Sequence, residues 1–424
     1  MNILILGSGG REHAFTLKIS ESELTEKLFI APGNAGTASL GTNVNLDILD
    51  FDALAKFSIK EGIKMIVVGP EAPLVNGIFD FFKSDEKLKE IIIIGPSKQG
   101  AELEGSKTFA KEFMFKYNIP TAGYNEFDEN NLEEGFEFID NNKPPFVLKA
   151  DGLAGGKGVI ITSDKEEAKF ELKSMISESK FGSASSKVII EEFLDGIEFS
   201  VFVLSDGENY KILPIAKDYK RIGEGDKGLN TGGMGAVSPV PFVSNELIKT
   251  VEQNIIIPTV EGMKSENIIY KGFYYIGLIL VNGEAKVIEY NCRMGDPETQ
   301  VVIPLIESDL VDLFAHCGNG SLSKAKLVLS NKTATTVVIA ANGYPESYEK
   351  GFELSNLETN DDTIVFHAGT KLVNEKCVSS GGRVLTVTSF GDNIESAVNK
   401  SLKVCDEIGF EVKYYRRDIG YEFI

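Results

Sequence analysis

"NILILGSGGREHAF", residues 2–15, indicates the fold class of this 424-residue chain. The segment is typical of an apolar strand, a glycine-rich turn and the first turns of a helix. Apolar, β-branched segments return at 27–31, 64–68 and 90–94, and amphipathic stretches separate them. This alternation predicts an α/β fold with a parallel sheet, helices on both faces, and loops that meet at the carboxyl edge where ligands bind.

Composition and charge narrow the class of protein. Hydrophobic residues make up 42% and charged residues 25%, which is typical of a globular protein and, at this length, of several domains. The formal net charge of −20 disfavours nucleic acid as a partner, and no apolar run approaches the length of a bilayer span. Four cysteines without paired spacing and three isolated histidines favour reduced thiols over disulfides or a zinc site. Because no signal peptide precedes the first strand, we expect a cytoplasmic protein with no membrane partner.

The turn after the first strand raises the question of a dinucleotide. Gly7 and Gly9 match the first two glycines of G-x-G-x-x-G, but Glu12 occupies the third position. The third glycine lets the helix pack closely on the strand, so its absence argues against NAD. The N–H groups of Gly9, Gly10 and the helix start still suit a phosphate, although a purely structural glycine turn explains them equally well.

A second glycine-rich loop, "LKADGLAGGKGV" (148–159), lies between two predicted strands. It differs from a P-loop, because it is one residue too short between the outer glycines and Lys157 precedes Gly158 instead of Ser or Thr. Its N–H groups could close over phosphates, and Lys149 would add a point charge beside them. A plain glycine hairpin is the alternative, which four glycines and two lysines in one segment disfavour.

Carboxylates stand at the end of another predicted strand, in "VIIEEFLDGIEFS" (188–200). The backbone at Glu191 and Glu192 could hold a nucleotide base, and a carboxylate there could hold a ribose. Acidic strand ends are also common on protein surfaces, so this signal is weak by itself.

The strongest local signal is "KVIEYNCRMGDPE" (286–298). Alternate side chains of a strand share a face, so Glu289, Asn291 and Arg293 are predicted to point one way. Two oxygen ligands beside a cation suit a magnesium–phosphate complex, since Mg²⁺ takes few protein oxygens together with phosphates. A solvent-facing strand with an ion pair is the alternative, and the carboxylates of the following "GDPE" favour the site.

Ten segments in this order are similar to those of one known family: "GGREHA", "APGNAGT", "VGPEAPLV", "LEGSK", "KADGLAGGKGV", "EEFLDG", "NTGGMGA", "NCRMGDPETQ", "FHAGTKL" and "GGRVL". The chain resembles the phosphoribosylamine–glycine ligase (glycinamide ribonucleotide synthetase) family of the ATP-grasp superfamily over essentially its whole length. Departures are small: Tyr219 stands where the family usually has His, Met294 where Phe is common, and Gly155 where Ala is common.

The resemblance implies an ATP-grasp fold with four parts. An N-terminal parallel-sheet, Rossmann-like (pre-ATP-grasp) domain would span 1–102, and the central ATP-grasp domain would combine 103–123 with 191–325. A small lid domain would span 124–190, and a C-terminal α+β domain would span 326–424.

The resemblance also implies an activity in purine biosynthesis. ATP, glycine and 5-phosphoribosylamine would give glycinamide ribonucleotide, ADP and phosphate, with Mg²⁺ or Mn²⁺ as the metal cofactor and a monomer as the working form. Three alternatives stay open: another ATP-grasp carboxylate–amine ligase or carboxylase, a dinucleotide-dependent oxidoreductase, and a non-catalytic nucleotide-sensing module.

Roles for individual residues follow from the same resemblance. Those expected to bind ATP are Lys107, Lys149, Gly155, Gly156, Lys157, Gly158, Glu191, Phe193, Leu194 and Glu198. Those expected to bind the other substrates are Gly9, Gly10, Asn34, Glu71, Pro73, Asp218, Arg293, Lys371 and Arg383. Arg293, Lys149 and Asp296 would take part in catalysis, and Glu289 and Asn291 would bind the metal.

Overall fold

The N-terminal hundred residues form the parallel α/β unit that the sequence predicts. The structure is a computed structural model that describes residues 1–154, 158–358, 360 and 362–424. The strands of the first unit are β1 Asn2–Gly7, β2 Lys27–Pro32, β3 Thr42–Asn43, β4 Ile63–Val68 and β5 Ile92–Ile94. The helices are α1 Gly10–Ser20, α2 Phe51–Glu61, α3 Glu71–Val75, α4 Ile78–Ser84, α5 Lys98–Gly105 and α6 Lys107–Lys116. All pairs are parallel in the order β3-β2-β1-β4-β5, which confirms the predicted sheet.

Both faces of β1 are buried, which explains its unbroken apolar run. Ile3 and Ile5 pack into one core with residues of α1, whereas Leu4 and Leu6 pack into a second core with residues of α2 and α4. Helices therefore cover the sheet on both sides and leave its carboxyl edge, after Gly7, free to form loops.

The second unit contains the predicted strand–loop–strand with the glycine-rich loop. Its elements are β6 Tyr124–Asp128, α7 Leu132–Asn141, β7 Phe146–Ala150, β8 Val159–Thr162, α8 Lys165–Ser177 and β9 Lys187–Glu192. The antiparallel sheet has the order β6-β9-β7-β8, and α7 and α8 contribute Ile139 and Leu172 to its core. Three of the predicted ATP-binding residues, Gly155, Gly156 and Lys157, lie outside the described residues.

The next stretch of chain supplies strands to two different sheets. Its elements are β10 Ile197–Ser205, β11 Tyr210–Ile212, β12 Lys217–Asp218, β13 Arg221–Gly223, β14 Lys227–Asn230, β15 Gly235–Ser238, α9 Asn245–Val251, α10 Ile257–Ser265, β16 Gly272–Val281 and β17 Glu284–Asn291. An antiparallel sheet has the order β11-β10-β16-β17, and β13 pairs with β14 in a separate hairpin. Asn282 and Gly283, between β16 and β17, both have positive φ (51° and 87°), as a two-residue hairpin turn with the sequence Asn-Gly requires.

The C-terminal sheet includes strands from the middle of the chain. The elements of this part of the chain are α11 Thr299–Val302, α12 Leu310–Gly318, β18 Thr333–Ala341, β19 Thr363–His367, β20 Thr370–Val373, β21 Lys376–Ser379, β22 Arg383–Gly391, α13 Ile394–Glu407 and β23 Lys413–Tyr414. β20 and β21 pair with each other in a separate hairpin. The strand order of the C-terminal sheet is β12-β15-β18-β22-β19, with β23 also paired to β18. Strands β12 and β15 therefore belong to this sheet although they precede β16 in the chain. The four domain boundaries stay predictions.

In the described part of the chain, no helix is long and apolar enough to cross a membrane.

Two buried histidines join α1 to the C-terminal sheet. His13 on α1 accepts a hydrogen bond at Nδ1 from the backbone N–H of His367 at the end of β19 (2.8 Å), and the two rings lie 5.6 Å apart. Burial lowers the pKa of His13 to about 3, with a smaller contribution from the charge of His367, and burial lowers the pKa of His367 to about 4. Both imidazoles are therefore neutral in the folded protein at neutral pH.

We expect acid to destabilise the protein through this pair. Because the folded-state pKa values lie below the unfolded value of about 6.5, the unfolded chain takes up protons first as the pH falls. Stability is retained above pH 6.5 and is lost towards pH 4, by about 2 kcal/mol per histidine between pH 7 and pH 5. Denaturant titrations at both pH values should show a smaller loss in His13→Gln than in the wild type, and an unchanged loss in His316→Gln. Equal losses in all three proteins would contradict the assignment.

Candidate active site

A cavity of about 400 Å³ is lined by residues of the N-terminal unit, of the unit that contains β6–β9, of the stretch from β10 to the turn after β17, and by Arg383 of β22. Of the predicted site residues, the ones that line it are Glu71, Lys107, Lys149, Gly158, Glu191, Asp218, Glu289, Asn291, Arg293, Asp296 and Arg383. Several lining residues were not predicted from the sequence, among them Arg11, Glu104, Lys111, Lys220, Thr231, Gly232, Tyr275 and Glu298. The cavity is therefore built from segments that are far apart in the chain.

Lysines from α6 and β7 surround the carboxylate of Glu191 on one wall. Lys149 Nζ lies 2.8 Å from Glu191 Oε2, and Lys111 Nζ lies 3.3 Å from Glu191 Oε1; all three side chains are buried. Burial lowers the pKa of Lys111 to about 8 although Glu191 opposes that shift. Lys107 stands at the start of α6, where burial also lowers its pKa and the charge of Glu289 partly offsets the effect. This wall concentrates positive charge where phosphates could bind.

Candidate metal ligands lie on β17 beside these lysines, and Lys149 Nζ donates to the backbone oxygen of Ile288 on that strand (3.2 Å). Glu289, Tyr290 and Asn291 all border the cavity, but the hydroxyl group of Tyr290 lies 2.7 Å from that of Thr259 in the core. The predicted alternation is therefore observed from Glu289 to Asn291 but not at Ile288, which also lines the cavity where the pairing register of β17 with β16 shifts. Among the described residues no group of three or more His, Cys, Asp or Glu could hold a metal ion. A carboxylate and an amide oxygen facing lysines fit Mg²⁺, which completes its shell with phosphates and water.

Arg293 is held from both sides by carboxylates. Its Nη2 donates to Glu104 Oε1 (2.7 Å), and its Nε lies 3.4 Å from Glu71 Oε2. Burial raises the pKa of Glu104 although Arg293 opposes it. At Glu71 burial also acts to raise the pKa, but the charges of Arg293 and Arg11 and the hydrogen bonds to its carboxylate together lower it. The guanidinium therefore has a fixed position in the cavity and stays charged.

The alternation predicted for β17 stops at its last residue. The same alternation predicts that Cys292 points away from Arg293, but the Cys292 Sγ donates to Glu104 Oε2 (3.2 Å), on the same carboxylate that Arg293 contacts. The strand ends at Asn291, so the two-residue period no longer applies to the residues after it.

Acidic groups cluster around Lys220 next to these residues. Lys220 Nζ lies 3.0 Å from Glu198 Oε2, and burial is the main cause that raises the pKa of Asp218. Burial, helped by Asp218, raises the pKa of Glu298 to about 7. The carboxyl group of Glu298 can therefore hold a proton near neutral pH.

Asp296 connects the cavity to the N-terminus of α1. Its Oδ1 lies 3.3 Å from Arg383 Nη2 and accepts from Gln300 Nε2 (2.9 Å), and its Oδ2 accepts from the backbone N–H of Arg11 (3.4 Å). Burial opposes ionisation, but Arg383 and Arg11 together lower the pKa of Asp296. The carboxylate is thus ionised and rigidly held.

The side-chain carboxylate of Glu12 occupies the glycine turn after β1. Glu12 Oε2 accepts from the backbone N–H of Gly9 (2.5 Å), and a Cβ on Gly7 would lie 2.6 Å from the Glu12 side chain. Glu12 therefore fills the space over the turn that a dinucleotide fingerprint leaves open with its third glycine.

Some predicted residues are not among the described lining of the cavity: Gly9, Gly10, Asn34, Pro73, Phe193, Leu194, Glu198 and Lys371. Gly10 packs against Gln300, and the Asn34 amide donates to the backbone oxygens of Ser8 and His367 (2.9 and 2.8 Å). Glu198 reaches the site through Lys220, and Lys371 is exposed on β20. Their roles in binding stay predictions.

Three of the residues missed from the sequence share one property. Glu104, Lys111 and Glu298 are charged side chains that are buried in the folded protein. Charged residues usually face solvent, so the pattern alone favours a surface position. Only "LEGSK" could have indicated Glu104, since it abuts the predicted phosphate-binding Lys107.

Together, the parallel N-terminal unit, the β6–β9 sheet with its glycine-rich loop, and the cavity between cations and carboxylates define an enzyme of the ATP-grasp class. Family models match three parts of the chain: the phosphoribosylglycinamide synthetase N domain (residues 1–104), its ATP-grasp (A) domain (105–299) and its C domain (334–422). The chain belongs to the phosphoribosylglycinamide synthetase family.

Relatives and solved structures agree with this assignment. The chain is 45% identical to the phosphoribosylamine–glycine ligase of Pasteurella multocida and 46% identical to that of Haemophilus influenzae, over 100% of this chain and 98% and 99% of theirs. The crystal structure of phosphoribosylamine–glycine ligase from Thermotoga maritima matches with a TM-score of 0.85 at 36% identity, covering 99% of this chain and 100% of that one. The biotin carboxylase domain of 2-oxoglutarate carboxylase from Hydrogenobacter thermophilus shares the fold (TM-score 0.74, 17% identity, 98% and 91% coverage). The predicted ATP-grasp fold is thereby confirmed.

Proposed function

We propose that this protein is the ATP-dependent ligase that joins glycine to 5-phosphoribosylamine in purine biosynthesis, with glycinamide ribonucleotide, ADP and phosphate as products. Membership of the family over the whole chain supports this reaction. The observation that carries it is one cavity in which Lys107 and Lys149 face Glu289, Asn291 and Arg293. Cations for phosphates, oxygen ligands for a metal and a guanidinium for a carboxylate are the groups that the chemistry needs.

ATP is proposed to bind between the β6–β9 sheet and β17. Lys107 and Lys149 would contact phosphate oxygens, with N–H groups of the loop that ends at Gly158. The backbone at Phe193 and Leu194, directly after β9, would hold the adenine, and Glu191 and Glu198 would hold the base and the ribose. Gly155, Gly156 and Lys157 belong to the same proposal.

Mg²⁺ (or Mn²⁺) is proposed to bind at Glu289 and Asn291, where it would neutralise phosphate charge during phosphoryl transfer. Lys107 on α6 and Lys149 on β7 would also neutralise phosphate charge. No protein nucleophile is required, because the glycine carboxylate itself attacks the γ-phosphorus.

The first chemical step turns a poor electrophile into a good one. A glycine carboxylate oxygen bonds to the γ-phosphorus, the bond to the β-phosphate oxygen breaks, and glycyl phosphate and ADP result. Arg293 would hold the carboxylate in line, since a guanidinium fixed by Glu104 and Glu71 offers its remaining donors in one orientation. The loop that ends at Gly158 would keep water from the acyl phosphate.

In the second step the amine nitrogen bonds to the glycyl carbonyl carbon and the bond from that carbon to the phosphate oxygen breaks. The nitrogen loses a proton, which the departing phosphate takes up as hydrogen phosphate. Asp218 and Asp296 would position the amino groups of the substrates. The phosphoribosylamine pocket is proposed between the N-terminal and C-terminal units, with Gly9, Gly10, Asn34, Glu71, Pro73, Lys371 and Arg383. A cytoplasmic monomer, divided at the domain boundaries expected from the sequence, completes the proposal.

A second candidate is another carboxylate-activating reaction on the same scaffold, because the ATP-grasp fold itself also occurs in biotin carboxylase domains. The two differ in the carboxylate that they accept. An oxidoreductase reaction is disfavoured, since Glu12 occupies the space over the first glycine turn.

The test is ADP release by the purified protein with a panel of carboxylates: glycine, alanine, formate and bicarbonate, each with and without phosphoribosylamine. We expect sustained release only with glycine and phosphoribosylamine together, and glycinamide ribonucleotide as the product. Turnover with bicarbonate or formate, or turnover that does not respond to phosphoribosylamine, would overturn the proposal.

A further inference from the structure

The segment 414–422, near the end of the chain, contacts the part of the chain that forms one wall of the cavity. That wall consists of β12, the β13–β14 hairpin and the turn after it, residues 217–232, from which Asp218, Lys220, Thr231 and Gly232 line the cavity. The segments 414–422 and 217–232 are far apart in the sequence, so folding must bring them together.

Successive residues of the wall face opposite ways. Lys217 and Tyr219 point to the segment 414–422, whereas Asp218 and Lys220 line the cavity. Glu422 holds both outward residues: its Oε1 lies 2.7 Å from Lys217 Nζ, and its Oε2 accepts from the Tyr219 hydroxyl group (2.7 Å). Lys217 Nζ also lies 4.3 Å from the centre of the Tyr219 ring.

The Tyr219 hydroxyl group is a dependable donor in this arrangement. Tyr219 is 1% exposed, and burial together with the charge of Glu422 raises the pKa of its hydroxyl well above the ordinary value. A hydrogen bond to an ionised carboxylate is also stronger than one between neutral groups. One carboxylate thus fixes two alternate side chains, one on β12 and one directly after it, and with them the direction of Asp218 between them.

Arg416 holds the hairpin in the same way. Its guanidinium is fully buried, lies 2.6 Å from Asp226 Oδ1 in the turn of the hairpin, and donates to the backbone oxygen of Arg221 (3.1 Å). Asp418 completes the contact by pairing with Arg416 (2.7 Å) and accepting from the backbone N–H of Gly225 (2.7 Å). Removing one partner would leave a buried charge uncompensated, so the arrangement resists displacement.

We propose that Glu422 and Arg416 are positioning residues of the active site: they hold the wall 217–232 so that Asp218 and Lys220 face the reacting groups. This inference rests on the proposed function, and it adds to it a role for a segment that does not itself line the cavity. Misplacement of a site residue by about 1 Å can lower a rate a hundred-fold, so small movements of this wall matter.

The first experiment measures the wall itself and needs no activity. Hydrogen exchange of the amides of 217–232 is compared among the wild type, Glu422→Ala, Tyr219→Phe and the control Glu353→Gln. The control removes an exposed ion pair with Lys376 in the same unit. We expect exchange in 217–232 to become about five-fold faster in Glu422→Ala and to stay unchanged in the control.

The second experiment separates positioning from general stability by steady-state kinetics. In Glu422→Ala we expect kcat to fall about ten-fold, while the KM for ATP stays within about two-fold, because the phosphate-binding lysines lie on other elements. Glu422→Gln should give an intermediate kcat, since its amide oxygen still accepts from Tyr219 but no longer pairs with the charge of Lys217. Glu353→Gln should match the wild type.

The positioning role of Glu422 would be overturned by unchanged hydrogen exchange in Glu422→Ala, or by faster exchange with an unchanged kcat. If Glu422→Ala does not fold, hydrogen exchange and kcat are measured on Tyr219→Phe, which removes one oxygen atom, and the same criteria apply to it. A wild-type protein without glycine-dependent ADP release would overturn the proposed function alone, and the hydrogen-exchange result would still decide whether Glu422 holds the wall.

Discussion

Glu289→Gln is expected to lower kcat at saturating ATP by about a hundred-fold and to raise the half-saturating magnesium concentration about ten-fold. Glu289 and Asn291 line the same cavity as the lysines that would bind phosphate, and Glu289 is the charged member of that pair. The substitution keeps the shape of the side chain but removes its charge. Mg²⁺ binds hard, charged oxygens most strongly, so a neutral amide should hold it poorly.

The measurement is ADP release at a series of magnesium concentrations. Glu284→Gln is the matched control, because Glu284 lies on the same strand but is exposed at the hairpin end. Thermal unfolding of both variants should resemble that of the wild type. If Glu289→Gln retains the wild-type rate and magnesium dependence, β17 does not hold the metal.

Arg293→Lys is expected to lower kcat/KM for glycine by about a hundred-fold while the KM for ATP changes little. Lysine keeps the positive charge between Glu104 and Glu71, so the buried carboxylates stay compensated and the fold should survive. It offers a point charge, however, in place of the planar guanidinium that can hold a carboxylate with two parallel hydrogen bonds. Arg417→Lys, at an exposed ion pair with Asp406, is the control for an arginine replacement without a site role.

Glu104→Gln tests how Arg293 is held. The glutamine oxygen can still accept from the backbone N–H of Cys292, as Glu104 Oε2 does at 2.9 Å, but the charged contact with Arg293 is lost. We expect a smaller loss, about ten-fold in kcat/KM for glycine, because Arg293 remains but is less well oriented. For Arg293→Lys, the contradicting result is a KM for ATP that rises as much as the KM for glycine. Arg293 would then belong to the nucleotide site.

Much of the fold follows from local patterns. The apolar run of β1 and its glycine turn predict a parallel sheet, and "NG" at Asn282 and Gly283 predicts the hairpin of β16 and β17. Glu289 and Asn291 could be assigned to one face because the strand period of two residues is set by backbone geometry. Each of these inferences depends only on residues that are neighbours in the sequence of the strand or turn concerned.

The contacts that orient the site residues could not be predicted in this way. Arg293 and Glu104 are 189 residues apart, and Tyr219 and Glu422 are 203 residues apart. Burial gives these ion pairs and hydrogen bonds their strength, and burial arises only when separate units pack against one another. The local sequence therefore determined which groups the site contains, whereas the packing of the units determined which carboxylate holds each cation, because charge pairing depends on distance in space and not on spacing along the chain.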